Sequence, residues 1–231
     1  MTTAGSARRY VVIEGPIGVG KTTLCRLLQQ DRGAELVLEP HEDNPFLEAF
    51  YRDPARYALP VQMYFLLTRW KQIDRIRQLG LFHDWVVSDY LFEKDRLFAE
   101  KTLSADELEL YDRFAASLGR DMPTPDLVVV LEAPIPVLLS RIRRRGVAGE
   151  DRITTKYLED LLERYDQQWR RWTRCPVLRV DNTTLDYGRD PAARAEILAQ
   201  IDRAIAAGRA GLDTPAGDAS AQPSLFSGHG S

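Results

Sequence analysis

Gly15-Pro16-Ile17-Gly18-Val19-Gly20-Lys21-Thr22 is the stretch that decides the fold. All four fixed positions of a Walker A loop are filled, by Gly15, Gly20, Lys21 and Thr22. The apolar run Tyr10-Val11-Val12-Ile13 precedes it and reads as a strand. Thr23-Leu24-Cys25-Arg26-Leu27-Leu28 follows with a helical pattern. Strand, glycine-rich loop and helix in that order turn the motif into a phosphate site. The glycines let several backbone N–H groups converge on one anion, and the helix adds the positive end of its dipole. Residues Gly15 to Thr22, with Thr23, are therefore the expected nucleotide-binding residues. Lys21 is placed to reach the β- and γ-phosphates, and the Thr22 hydroxyl is suited to Mg²⁺. The loop implies a bound nucleoside triphosphate; the fate of its γ-phosphate must be read elsewhere.

Outward from the loop, strand and helix patterns alternate. Strands are expected at 9–14, 35–38, 85–87, 126–131 and 177–180. Helices are expected at 21 to about 31, about 44–79, from Asp89, from Ser104, about 135–145, 155–173 and about 190–208. Pro54 suits a segment start, Pro60 predicts a kink or break, and Ser104-Ala105-Asp106-Glu107 has the form of a capping box. Five strands separated by helices imply an α/β fold: a parallel sheet covered on both faces. Beyond Gly208 the composition turns to Ala, Gly, Ser, Pro and Asp, so 1–208 reads as one domain and 209–231 as a disordered tail.

The 231 residues suffice for one well-buried α/β domain. A net charge of −3 gives no reason to expect nucleic acid as a partner. Cys25 and Cys175 lack metal-ligand spacing and read as reduced. No apolar run approaches the ~18 residues of a membrane helix, and the N-terminus lacks a signal-peptide core. The expectation is a cytoplasmic protein with no membrane partner.

Four groups of residues bear on the reaction. Glu39-Pro40 ends the second strand, at the sheet edge where ligands of open parallel sheets bind. Glu39 is placed either to accept a proton from an attacking hydroxyl or to sit as a charged residue in a turn set by Pro40. Asp89 ends the third strand and suits Mg²⁺, nucleophile orientation or a helix N-cap. Arg141 and Arg145, four apart, share one helical face ahead of the polar loop 147–152; they suit a phosphate clamp under a lid, or a solvated basic helix end. Tyr51, Gln62 and Arg69 fall in the long helical region, where Gln62 and Arg69 share a face and Gln62 offers a donor and an acceptor to a base edge.

Together these pieces resemble the deoxynucleoside kinase family over about 10–182. The family loop G-P-I-G-x-G-K-T is met at Gly15 to Thr22, its E-P at Glu39-Pro40 and its lid motif R-x-x-x-R-G at Arg141, Arg145 and Gly146. The resemblance implies the P-loop kinase fold with an arginine-rich lid, ATP as donor, Mg²⁺ as cofactor and a deoxynucleoside as acceptor. It implies Glu39 as base for the 5′-hydroxyl, Tyr51 and Glu150 on the sugar 3′-hydroxyl, and Gln62 with Arg69 at the base. Lys21, Arg141, Arg145 and Asp89 would complete the catalytic set, and Thr22 and Asp89 the metal site. It also implies a homodimer through helices near 55–79 and 104–118. One motif departs: many members carry D-R-S or E-R-S after the third strand, where this chain has Ser88-Asp89-Tyr90. That segment and Phe98 to Ser104 resemble the bacterial purine branch, so deoxyguanosine or deoxyadenosine is the expected acceptor. Two alternatives stay open: a thymidylate-kinase-like monophosphate kinase, whose D-R-Y/H and D-R-x-G segments are missing, and a P-loop NTPase switch with Glu132 as its Walker B acid.

Overall fold

The computed structural model describes residues 8–40, 43–92, 94–118, 123–147, 149–184, 187 and 190–212. Five strands form one sheet: β1 Arg9–Glu14, β2 Glu35–Val37, β3 Trp85–Ser88, β4 Leu127–Glu132 and β5 Val177–Asp181. Their order is β2-β3-β1-β4-β5, and every pairing is parallel. β1, which feeds the Walker loop, therefore lies at the centre, with β3 and β4 as its neighbours. The chain reverses its direction of growth across the sheet there, which opens a crevice at the carboxyl ends of the strands.

Eight helices are described: α1 Lys21–Arg32, α2 Leu47–Arg52, α3 Pro54–Phe82, α4 Lys94–Thr102, α5 Ala105–Leu118, α6 Ile135–Arg145, α7 Thr155–Arg170 and α8 Pro191–Leu212. Alternate residues of the central strands point to opposite faces, and both faces are covered. Val11, Ile13, Val129 and Leu131 pack with Leu24 and Leu28 of α1, Leu138 and Ile142 of α6 and Ile201 of α8. Val12, Val128 and Val130 pack with Leu97 of α4 and with Leu161, Tyr165 and Trp169 of α7. All six residues of β4 are buried, which explains its unbroken apolar pattern.

Three boundaries differ from the sequence reading. Pro60 does not break α3: it sits early in the helix and can remove only its own bond to the carbonyl of Arg56, an exposed residue. Asp89 does not open a helix; α4 begins at Lys94, because the Asp89 side chain is committed elsewhere. The last helix runs on to Leu212 rather than ending near 208, so the proposed tail begins inside it, and 213–231 lie outside the described residues. The capping box holds: the Glu107 carboxylate accepts from the Ser104 N–H and hydroxyl, each at 2.9 Å.

Candidate active site

The Walker loop is held open by backbone geometry that only glycine tolerates. Gly15 has φ 142°, and a Cβ there would lie 2.5 Å from the carbonyl oxygen of Leu131. Gly20 sits at φ 108° at the N-terminus of α1, which has no side-chain cap, so its first-turn N–H groups are available to an anion. Lys21 Nζ donates to the carbonyls of Gly15 at 2.9 Å and Pro16 at 3.1 Å. Burial, with the Lys94 charge beside it, lowers the Lys21 ammonium to about 8.

A cleft of about 1040 Å³ runs from this loop across the carboxyl ends of the strands. Gly18, Gly20, Lys21, Thr22, Thr23, Glu39, Tyr51, Gln62, Arg69, Asp89, Arg141, Arg145 and Glu150 all line it. The sequence-derived set thus converges on one cavity; Gly15, Pro16 and Val19 form the loop behind it.

Asp89 ties three of these segments together. The Thr22 hydroxyl donates to its Oδ2 at 3.1 Å, and the backbone N–H of Glu39 donates to its Oδ1 at 2.8 Å. This commitment is why it caps no helix. Tyr90, at the position where many family members carry Arg, is buried and lays its ring 5.5 Å from the Arg69 guanidinium. Phe65 packs against the same guanidinium at 5.2 Å. Arg69, clasped by these rings, is ion-paired to both Glu39 and Asp95. Burial pushes the Glu39 carboxyl up, but Arg69, Lys94 and Lys21 together outweigh it and hold it at about 2.

Deeper in the cleft, Gln62 donates through Nε2 to the Thr102 hydroxyl at 3.1 Å. Its carbonyl oxygen is buried and takes no hydrogen bond from the protein. Across from it, Arg145 Nη2 donates to both oxygens of the buried Glu150, at 2.5 and 2.6 Å. Tyr51 packs under the lid: a Cβ on Gly149 would come within 2.8 Å of its ring. Burial, with Tyr157 and Glu150 adding to it, raises the Tyr51 hydroxyl and keeps it neutral.

Sequence reading missed a brace on the opposite side of the loop. Asn182 follows β5 and donates through Nδ2 to the Val19 carbonyl at 2.5 Å and to the Tyr187 hydroxyl at 3.1 Å. Arg141 donates to the carbonyls of Val19, Asn182 and Thr183 at 3.2, 2.8 and 3.3 Å. Arg141 therefore anchors the Walker loop to the β5–α8 connection as well as lining the cleft. Its only forewarning was a polar Asn directly after a strand. Glu14 was also missed. It is fully buried, accepts from the N–H groups of Gly15 at 3.1 Å and Leu91 at 2.6 Å, and so clamps the loop to the segment after β3.

Glu132 lies outside the cleft lining. Its carboxylate accepts from Arg179 at 2.9 Å, and burial raises its pKa against that pairing. It is not placed to serve the nucleotide, and the Walker B alternative loses its acid. A carboxylate in the same cleft as the Walker loop, one hydrogen-bonded residue away from Thr22, is what phosphoryl transfer to an acceptor requires. The molecule is a P-loop kinase.

The chain belongs to the deoxynucleoside kinase family, whose model matches residues 11–206. It is 35% identical over 201 residues to the deoxyguanosine kinase of Bacillus subtilis, covering 85% of this chain and 97% of the relative. It is 30% identical over 202 residues to the deoxyadenosine/deoxycytidine kinase of the same organism, covering 84% and 92%. The structure of deoxyadenosine kinase from M. mycoides with bound dATP superposes with a TM-score of 0.73 at 24% identity, covering 84% of this chain and all of that one. The chain is therefore a deoxynucleoside kinase of P-loop architecture.

Proposed function

We propose that the chain transfers the γ-phosphoryl group of ATP to the 5′-hydroxyl of a purine deoxynucleoside, deoxyguanosine or deoxyadenosine, in nucleotide salvage. The observation that carries this reading is the linked chain Thr22–Asp89–Glu39, which sets a phosphate-side hydroxyl and an acceptor-side carboxylate in one cleft. The purine assignment draws on the similarity to deoxyguanosine and deoxyadenosine kinases and on the unpartnered oxygen of Gln62.

In this mechanism Glu39 accepts the hydrogen bond of the 5′-hydroxyl and takes its proton as the phosphoryl group arrives. Held at about 2, it is ionised throughout the physiological range but a weak base. Orientation of the hydroxyl is then its larger contribution, which suits a loose phosphoryl-transfer transition state. Lys21, Arg141 and Arg145 hold the phosphate oxygens. Tyr51 and Glu150 bind the 3′-hydroxyl; Gln62 reads the base edge, and Arg69 fixes Glu39.

Thr22 and Asp89 present a hydroxyl and a carboxylate oxygen 3.1 Å apart, hard donors of the kind Mg²⁺ takes alongside phosphate oxygens and water. Mg²⁺ bound there would neutralise charge between the β- and γ-phosphates.

The active unit is a homodimer. Leu67 and Trp70 of α3 and Leu110 and Phe114 of α5 are exposed apolar side chains on two helices that pack together. The kinase domain spans 1–208 and the remainder is dispensable; truncation after Leu212 should leave kcat and Tm unchanged, and a large loss of either would contradict this. A cytoplasmic site of action fits salvage, and no helix among the described residues is long and apolar enough to cross a membrane. The direct test is ATP turnover with Mg²⁺, with and without a deoxynucleoside, followed by phosphorus NMR of the product. Turnover only with nucleoside and a 5′-monophosphate product are expected. Nucleoside-independent hydrolysis would contradict the reading.

A further inference from the structure

Lys94 is a buried cation in the middle of the cleft, with nothing in its own fold that fully matches its charge. It opens α4, is 5% exposed and lines the cavity beside Lys21, Glu39 and Asp89. Among the described residues its ammonium makes no hydrogen bond; the nearest carboxylate oxygen is Oε2 of Glu14, at 4.0 Å. Glu14 is already engaged, accepting from Gly15, Leu91 and the Tyr165 hydroxyl. The face of Phe98, with its centroid 5.5 Å from Nζ, flanks the ammonium and offers only a weak partner. A desolvated ammonium is costly unless an anion meets it.

The position of that anion is fixed by the neighbours. Lys94 acts on the two groups between which the phosphoryl group must travel. Its charge is the largest influence after burial on Lys21, and after burial and Arg69 it contributes most to holding Glu39 ionised. Lys21 belongs to the donor side of the transfer and Glu39 to the acceptor side. At the position where many family members carry an arginine, this chain has Tyr90, so no guanidinium reaches the phosphate from there.

We propose that Lys94 is a second phosphate-binding cation, which holds a non-bridging oxygen of the transferred phosphoryl group and keeps hold of it in the product monophosphate. In the step, the bond between the γ-phosphorus and the β–γ bridging oxygen breaks, and its electron pair leaves with the diphosphate. The phosphorus bonds to the 5′-oxygen, whose proton goes to Glu39. Lys94 neither gains nor loses a proton; it neutralises charge that moves from the Lys21 side to the Glu39 side. This rests on the acceptor reading of the cleft given above.

The test compares two ligands that differ only in the phosphate. Binding of the preferred purine deoxynucleoside and of its 5′-monophosphate is measured by calorimetry, for the wild type and for Lys94→Met, Lys94→Gln and Lys94→Arg. A charge-assisted contact to phosphate is lost in the first two, so monophosphate affinity should fall about 10- to 100-fold. Nucleoside affinity should stay within about 3-fold, and arginine should restore most of the loss. Single-turnover transfer should slow in parallel. If Lys94 serves only to balance Glu14, the Glu14→Gln/Lys94→Met pair should recover monophosphate binding, which would overturn the proposal. Equal weakening of both ligands, or of neither, would overturn it too. A wild-type chain that binds no deoxynucleoside would instead refute the acceptor reading itself. The glutamine variant keeps the test usable should the methionine variant fail to fold.

Discussion

The Arg69 guanidinium is ion-paired to the Glu39 carboxylate at the end of β2. The pair joins a helix residue that faces the acceptor pocket to a strand-end residue that faces the phosphates. It fixes the Glu39 rotamer and, with Lys94 and Lys21, keeps the carboxylate charged at about 2 despite its burial.

Replacing Glu39 by Gln keeps the shape and removes the charge. The variant should bind ATP and nucleoside near normally and lose ~10²-fold or more in kcat, as removal of a positioned base does. A kcat close to wild type would show that another group receives the 5′-hydroxyl.

The pH profile follows from the two charged partners of the transfer. Glu39 is lowered, so its ionised form persists as pH falls until about 2, and it should give no acidic limb between pH 5 and 8. Lys21 is lowered to about 8, so its charge is lost as pH rises through that value. The kcat/KM for ATP should therefore decline above about pH 8. Bound phosphate favours the charged ammonium, so the limb in kcat should lie higher. A flat kcat/KM through pH 9 would contradict the Lys21 assignment.

Arg141→Ala and Arg145→Ala should each lower kcat by ~10²-fold, more than they weaken nucleoside binding, because the contact to the phosphoryl group strengthens in the transition state. Arg141→Ala should also raise the KM for ATP, since it removes the bonds from α6 to the Val19, Asn182 and Thr183 carbonyls. A change confined to the nucleoside KM would remove that arginine from the transfer step.

Local signals made much of this legible in advance. The Walker loop, the strand pattern of β4 and the Glu39-Pro40 turn are each read from a few adjacent residues. What escaped reading depends on strand order. Glu14 is a charged residue at the end of an apolar strand, and its partners Leu91 and Tyr165 come from β3's far side and α7. Asn182 reaches Val19 across 163 positions of sequence. Asp89 looked like a helix cap, because the type of residue that caps a helix is also the type that binds a hydroxyl. Its actual partners, Thr22 and Glu39, become neighbours only once β3 lies between β1 and β2. Pro60 looked like a break because propensity says so, whereas the packing of a long helix overrides one lost bond near its start.

The exposed apolar residues of α3 and α5 set the expected assembly. Leu110→Glu together with Phe114→Glu should shift the protein from dimer to monomer in light scattering after size exclusion, since both charges would be buried in the interface. A wild-type chain that runs as a monomer at micromolar concentration would contradict the dimer.

The central claim is that this cleft phosphorylates a purine deoxynucleoside. The most direct measurement is kcat/KM with ATP and Mg²⁺ for all four deoxynucleosides, and for guanosine and adenosine. Deoxyguanosine or deoxyadenosine should lead, and both ribonucleosides should trail, because the 2′-hydroxyl must enter a sugar site crowded by Tyr51 and Glu150. A clear preference for thymidine or deoxycytidine would contradict the purine assignment, and no turnover with any of the six would contradict the reading of the cleft.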